Sequence, residues 1–397
     1  MTARLDYRAF DADNHYYEAL DAFTRHLDKR LAKRAVQWAV IDGRPRLLVA
    51  ERINRFIPNP TFDPVAKPGC LDRFFRGENP EGLDIRAAFG ELEPIRPAYR
   101  DREARLALMD EQGLEGCLLF PTLGVGIEHP LRHDAELTHA TLHAFNQWLD
   151  EDWGFAWRER IFAVPMISLM DPQRAVAELE WALARDARMV HLRAAPVPGP
   201  RRRSLGDRDF DPFWARVNEA GITVAFHAGE SGYGEYASHW GEAEDLEAFG
   251  GGPFRSVTQT DRAIYDAIAA LIIHGVFHRF PNLRVCSIEN GSDWVGGLLH
   301  KLEKAERMNV RAFAEPPVEA FRRHVWVAPY YEEDVRALAD AIGIDKVLLG
   351  SDFPHAEGLA EPLSFLDELG AFGPAEVRRI MRDNGRSLVT PRPASRG

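Results

Sequence analysis

ITVAFH at 222–227 is the stretch on which the fold turns. Five of its six residues are apolar or β-branched, too continuous a run for a strand with one wet face, so both faces are expected to be buried. DPFWARVNEAG at 211–221 precedes it. Asp211-Pro212 has the form of a capping residue followed by Pro in the first helical turn, and Gly221 fits the position just past the helix end. A buried strand fed by a helix is the repeating unit of a parallel sheet. KVLLGSD at 346–352 has the same character, and both runs end on a side chain that can bind or move protons: His227 and Asp352.

Outward from these runs the pattern recurs. Strands are expected at 10–16, 116–120, 161–167, 189–193, 222–227, 284–289, 324–329 and 346–352. Pro165 weakens the third, because proline cannot donate to a ladder. Leu137, Thr141, Phe145 and Trp148 form one apolar stripe at helical spacing. Asp171-Pro172 opens another helix, and 261–278 reads as a long one closed by Phe280-Pro281. Eight strands alternating with helices give a (β/α)₈ TIM barrel, here expected as one domain over 1–389 with a loose tail at 390–397. A large insertion at about 21–100 follows strand one and contains a hairpin signal at Asp42-Gly43. A smaller one at about 232–258 follows strand five. Both lie after strand C-termini, where barrel loops build the mouth of a site, so they are read as lid and wall.

Composition narrows the function classes. A formal charge of −12 disfavours non-specific nucleic-acid binding, which needs a basic footprint. No apolar run approaches the roughly 20 residues that span a bilayer, and the first ten residues show no signal-peptide core. A cytoplasmic location is therefore expected. Cys70, Cys117 and Cys286 are too few and too scattered for a disulfide framework or a zinc ribbon.

Asp13 and His15 are two apart at the end of strand one, so on a strand they point to one side. His227 ends strand five and Asp352 ends strand eight. In a closed barrel these ends open on one face, and strands one and eight are neighbours. Asp13, His15, His227 and Asp352 are thus the expected metal ligands, a mixed imidazole and carboxylate set that suits zinc or manganese. Glu18 follows as a ligand or as a carboxylate that orients one. His191 and Arg193 share a face at the end of strand four. Arg193 is read either as a clamp for a substrate carboxylate or as half of a structural ion pair.

The chain resembles the amidohydrolase-related superfamily, in particular the branch containing aminocarboxymuconate semialdehyde decarboxylase and hydroxybenzoate decarboxylases. DADNHYYE at 11–18, FHA at 226–228, FHRFPNL at 277–283 and GSDFPH at 350–355 carry the likeness, which runs over nearly the whole chain. It implies that Asp13 stands where the family commonly has the first histidine of His-x-His, that His15 and His227 are ligands, and that Asp352 contacts the metal or its water and shuttles a proton. At strand six the decarboxylase relatives carry His-Gly-Gly, whereas this chain has Glu289-Asn290-Gly291. Glu289 is read as an acid or base, a further ligand, or an orienting carboxylate. The absence of a lysine at the end of strand four, where two-metal relatives carry one, implies one divalent ion, zinc ahead of manganese. Hydrolysis of a small carboxylate, aromatic or unsaturated substrate by metal-activated water is the first expectation, with Asp352 and Glu289 catalytic and His191, Arg193 and His355 touching substrate. Non-oxidative decarboxylation of a small aromatic or unsaturated acid is the alternative, and a non-catalytic metabolite-binding barrel the third. The partner is a small molecule, and relatives imply a homodimer.

Overall fold

The computed structural model describes residues 5–199, 203–244, 247–250, 252–309 and 311–392. Seven parallel strands are regular: β1 (Ala9–Tyr16), β5 (Leu114–Pro121), β6 (Ile161–Ala163), β7 (Met189–His191), β8 (Thr223–His227), β9 (Arg284–Ile288) and β10 (Val325–Val327). β2 (Val36–Ile41), β3 (Arg44–Val49) and β4 (Arg52–Ile53) form a separate antiparallel sheet inside the large insertion. The parallel strands fall into two sheets, ordered β1-β5-β6 and β10-β9-β8-β7.

Both seams between those sheets are narrow. At one, Met166 bridges His191, and the His191 amide donates to the Pro165 carbonyl at 2.8 Å. The third expected strand therefore stops at Ala163 in ladder terms and resumes for one bridge beyond Pro165, which has no N–H to give. At the other, segment 347–353 replaces the expected eighth strand. It makes single parallel bridges, Val347 to Val327 and Phe353 to Asn14, and the Ala12 amide donates to the Leu349 carbonyl at 2.8 Å. Gly350 is needed here: a Cβ on it would sit 3.0 Å from the Cβ of Asp13. These contacts complete the eight parallel segments of a (β/α)₈ barrel. Phe10, Phe120, Phe162, Cys286, Trp326 and Leu348 are among the residues that fill its interior, and a larger apolar shell packs helices against its outside.

Two local expectations change. The helix read over 261–278 is two helices, Arg262–Ile273 and Val276–Arg279, because Gly275 takes a left-handed φ of 67° and breaks the run. The tail is held as far as Arg392, whose amide donates to the Gly221 carbonyl at 2.9 Å; residues 393–397 of that expected tail lie outside the described residues. The hairpin stands as read, with Asp42 and Gly43 both at positive φ between β2 and β3. Among the described residues no helix is long and apolar enough to cross a membrane.

The insertions meet above the barrel. The Ala248 amide donates to the Phe56 carbonyl at 2.7 Å, and the rings of Phe89 and Phe249 lie 5.2 Å apart. The Gly69 and Leu71 amides donate to the carbonyls of His355 and Ala356. The large insertion is therefore tied by main chain to the loop that carries His355.

A buried arginine fixes the end of β1. Arg105 comes from the helix Arg102–Glu111 and is fully buried. It donates to the carbonyls of Ala98 and His15, both at 2.7 Å, and to the side-chain oxygen of Asn14. Arg105→Met should strand those three acceptors away from water. We expect a loss of about 3 kcal/mol in urea-unfolding free energy; a loss below about 1 kcal/mol would show that β1 is held without it.

Candidate metal centre and active site

Strict alternation would set Asp13 and His15 opposite Phe10 and Ala12, which point into the barrel. The pairing of β1 with β5 resolves the conflict. Asp11 pairs with Cys117 and Asn14 with Leu119, so three steps on β1 match two on β5. This bulge flips the parity, and Asp13 and His15 continue the inward face at the barrel mouth. Asp11 holds it. Its carboxylate accepts from the amides of Asp13 (3.1 Å) and Ser351 (3.0 Å), from the Asn14 side-chain amide (2.8 Å) and from the Ser351 hydroxyl (2.5 Å). Burial nevertheless pushes its carboxyl up to about 6.

His227 ends β8. Its Nδ1 faces the carbonyl of Ala228 at 2.8 Å, which places a proton there and turns Nε2 toward His15, Asp13 and Glu289. Glu289 follows the last residue of β9. By alternation it would point away from Ile288, but its φ of 55° turns it. Asp352 also has a φ of 55°. Both acids thus sit in the left-handed region that non-glycine residues seldom adopt.

Four donor atoms converge: Asp13 Oδ1, His15 Nε2, His227 Nε2 and Glu289 Oε2 lie within 4.8 Å of one another. Five of the six separations are 3.3 Å (Asp13–His15), 3.2 Å (His15–Glu289), 3.6 Å (His227–Asp13), 3.0 Å (His227–Glu289) and 3.1 Å (His15–His227). Two donors around a tetrahedral ion with bonds of about 2.0 Å sit about 3.3 Å apart. Asp13 Oδ1 and Glu289 Oε2 are buried without a hydrogen-bond partner. Two imidazole nitrogens face to face beside two such carboxylates call for a cation. The donor set fits a divalent metal.

The clustered carboxylates favour positive charge at this point. Burial opposes a charge on His227, but the Glu289 and Asp13 carboxylates outweigh it and raise it to about 10. Glu289 is driven below the usual carboxylate range against its burial by His227 and His15. Asp352 goes the other way: burial first, then the facing carboxylates of Glu289, Glu357 and Asp13, push it well up.

The structure thus joins Asp13, His15 and His227 as expected, but completes the four with Glu289. Asp352 Oδ1, also 3.3 Å from His15 Nε2, falls in a second cluster with His15, Glu289 and His355. His355 Nδ1 is 2.6 Å from Asp352 Oδ1, and His355 Nε2 is 2.9 Å from the Thr122 hydroxyl. Glu18 does not orient a ligand through a hydrogen bond. One of its oxygens accepts from the amides of Leu123 and Gly124, the other has no partner, and burial raises its carboxyl to about 7. Arg193 donates to the Ser231 and Pro196 carbonyls and faces Glu128 at 3.7 Å, while its Nε has no hydrogen-bond partner. His191 is buried with both ring nitrogens unpartnered, and burial lowers it to about 3.

Sequence reasoning passed over Asp11, Thr122, Glu357 and Arg105. Two had a signal. Thr122 stands just past the end of β5, on the functional face of a barrel. Arg105 interrupts the apolar stripe with Leu106 and Met109, where a charge needs a buried partner.

A family model for amidohydrolases matches residues 90–389. The chain belongs to the amidohydrolase family. A crystal structure of an amidohydrolase from Mycobacterium avium subsp. paratuberculosis K-10 is 51% identical, with a TM-score of 0.93 over 97% of this chain and 100% of that one. Dihydroxybenzoic acid decarboxylase from Polaromonas sp. JS666, solved with manganese and the inhibitor 2-nitroresorcinol, shares the fold at 17% identity and TM-score 0.57, covering 85% and 95% of the two chains. The 2-amino-3-carboxymuconate-6-semialdehyde decarboxylase of Dictyostelium discoideum is 29% identical over 130 residues, 31% of this amidohydrolase. The match spans about a third of the length of that curated relative.

Proposed function

We propose that the protein is a divalent-metal-dependent carboxy-lyase that removes carbon dioxide from a small aromatic or unsaturated acid. The observation that carries the reading is the chain Thr122–His355–Asp352. A carbonyl can only accept, so the Thr122 hydroxyl donates its one proton to the Tyr16 carbonyl at 2.9 Å. It must then accept from His355 Nε2–H. Burial holds His355 well below its usual range and so favours the neutral ring, which has a bare Nδ1 once Nε2 carries the proton; in that state the 2.6 Å contact is an O–H donated by Asp352. Burial and the neighbouring carboxylates push the Asp352 carboxyl up, toward the protonated form this requires. Hydrolysis by activated water needs a group there that takes one; decarboxylation needs a group that gives one.

Asp13, His15, His227 and Glu289 would hold the ion, zinc or manganese by donor type. When bound it supplies Lewis-acid polarisation of a chelating acid. As the bond between the ring or vinyl carbon and its carboxylate breaks, carbon dioxide leaves and the carbon keeps the electron pair. Asp352 delivers its proton to that carbon, and His355 and Thr122 hold the carboxyl in place for it. The named decarboxylase relatives support this reading over hydrolysis, which the sequence alone had put first.

The test is a panel of hydroxybenzoates and unsaturated carboxylic acids, with gas release and product mass followed together. Carbon dioxide and a product lighter by that mass are expected. No gas and a product heavier by one water would reject decarboxylation in favour of hydrolysis.

A further inference from the structure

Four protein donors would close a tetrahedral centre such as zinc's, whereas a catalytic ion needs a position for substrate. On such an ion one of the four would have to yield, and the structure distinguishes them. The side chains of Asp13, His15 and His227 are 5%, 1% and 1% exposed; that of Glu289 is 21% exposed. His227 is locked through Nδ1 to its neighbouring carbonyl, and Asp13 and His15 sit on the bulge stapled by Asp11 and Arg105. Glu289 lies beyond the end of its ladder. Its main chain is pinned, since the Tyr330 hydroxyl donates to the Glu289 carbonyl at 2.9 Å and the Asn290 side chain to the Ile288 carbonyl at 2.7 Å. Its Oε2, like Asp13 Oδ1, has no hydrogen-bond partner and faces the Nε2 atoms of His15 and His227, at 3.2 and 3.0 Å.

We infer that Glu289 is a displaceable ligand: it closes the ion's coordination in the resting protein and swings off when a chelating carboxylate arrives. This rests on the single-ion reading of the preceding section, and it separates two duties that the sequence had merged. Glu289 guards the ion, and Asp352 handles the proton.

Cobalt(II)-substituted protein tests it without reference to turnover. The wild type should show the intense visible bands of four-coordinate cobalt. Glu289→Ala and the shape-conserving Glu289→Gln should bind cobalt at least about ten-fold more weakly, with the weak bands of a five- or six-coordinate ion and unchanged melting temperatures. Salicylate should shift the wild-type spectrum toward the weaker form, and Glu289→Ala should bind salicylate several-fold more tightly because nothing has to leave. Wild-type bands and affinity retained in both variants would overturn the assignment of Glu289 as a ligand. Four-coordinate bands that depend on Glu289 but ignore bound salicylate would overturn the displacement. Failure of the wild type to take up cobalt at all would instead overturn the single-ion reading.

Discussion

His227→Ala should cost the protein its bound ion and its activity together. His227 sits at the end of β8 with its Nε2 within 3.0–3.6 Å of Glu289, His15 and Asp13. Losing a group that merely orients a ligand weakens metal binding about 10–100-fold, so losing a donor itself should exceed the upper end of that range. The ion is asked for several kcal/mol of charge stabilisation, so turnover should drop about 1,000-fold or more. Metal content by plasma mass spectrometry and turnover on the same preparation check both. Circular dichroism should show a folded barrel, since alanine is tolerated where a strand ends. Metal and turnover both retained would remove His227 from the centre.

Asp352→Asn should separate the two losses. If Asp352 is the proton donor and Glu289 the fourth ligand, the amide keeps the shape, leaves the four donors intact and has no acid to give. Turnover should fall about 10²–10⁴-fold, the range for losing a positioned acid, while the ion stays bound near the wild-type level. Loss of the ion along with activity would put Asp352 in the coordination set, as the sequence motif implies, and would return Glu289 to proton handling.

How far the sequence reaches is set by what each feature depends on. Buried strands such as ITVAFH are legible because near-continuous apolar runs are required of any strand covered on both faces, and seven of the eight expected positions form ladder strands. The eighth, 346–352, reads as a strand by composition. Its pairing is decided by neighbours, Val327 on one side and the bulged β1 on the other, and only single bridges form. Long-range geometry is also what sorts Glu289 from Asp352. Both are acids at strand ends in the sequence, and the left-handed backbone that aims each one appears only when the chain is folded. The β1 bulge was invisible for a similar reason. Asp13 and His15 do share a face, as their spacing requires, but that face is the inward one only because Asp11 and its partners insert an extra residue. Glu357 had no signal at all, since it is a loop residue two past His355 whose importance comes from crowding by Glu289 and by burial.

Anomalous diffraction from crystals of metal-loaded protein, collected on both sides of the absorption edge of the bound ion, tests the central claim most directly. A single strong peak should lie among Asp13, His15, His227 and Glu289, with Asp352 outside bonding distance. No peak there, or a peak at a site built from other residues, would contradict the account.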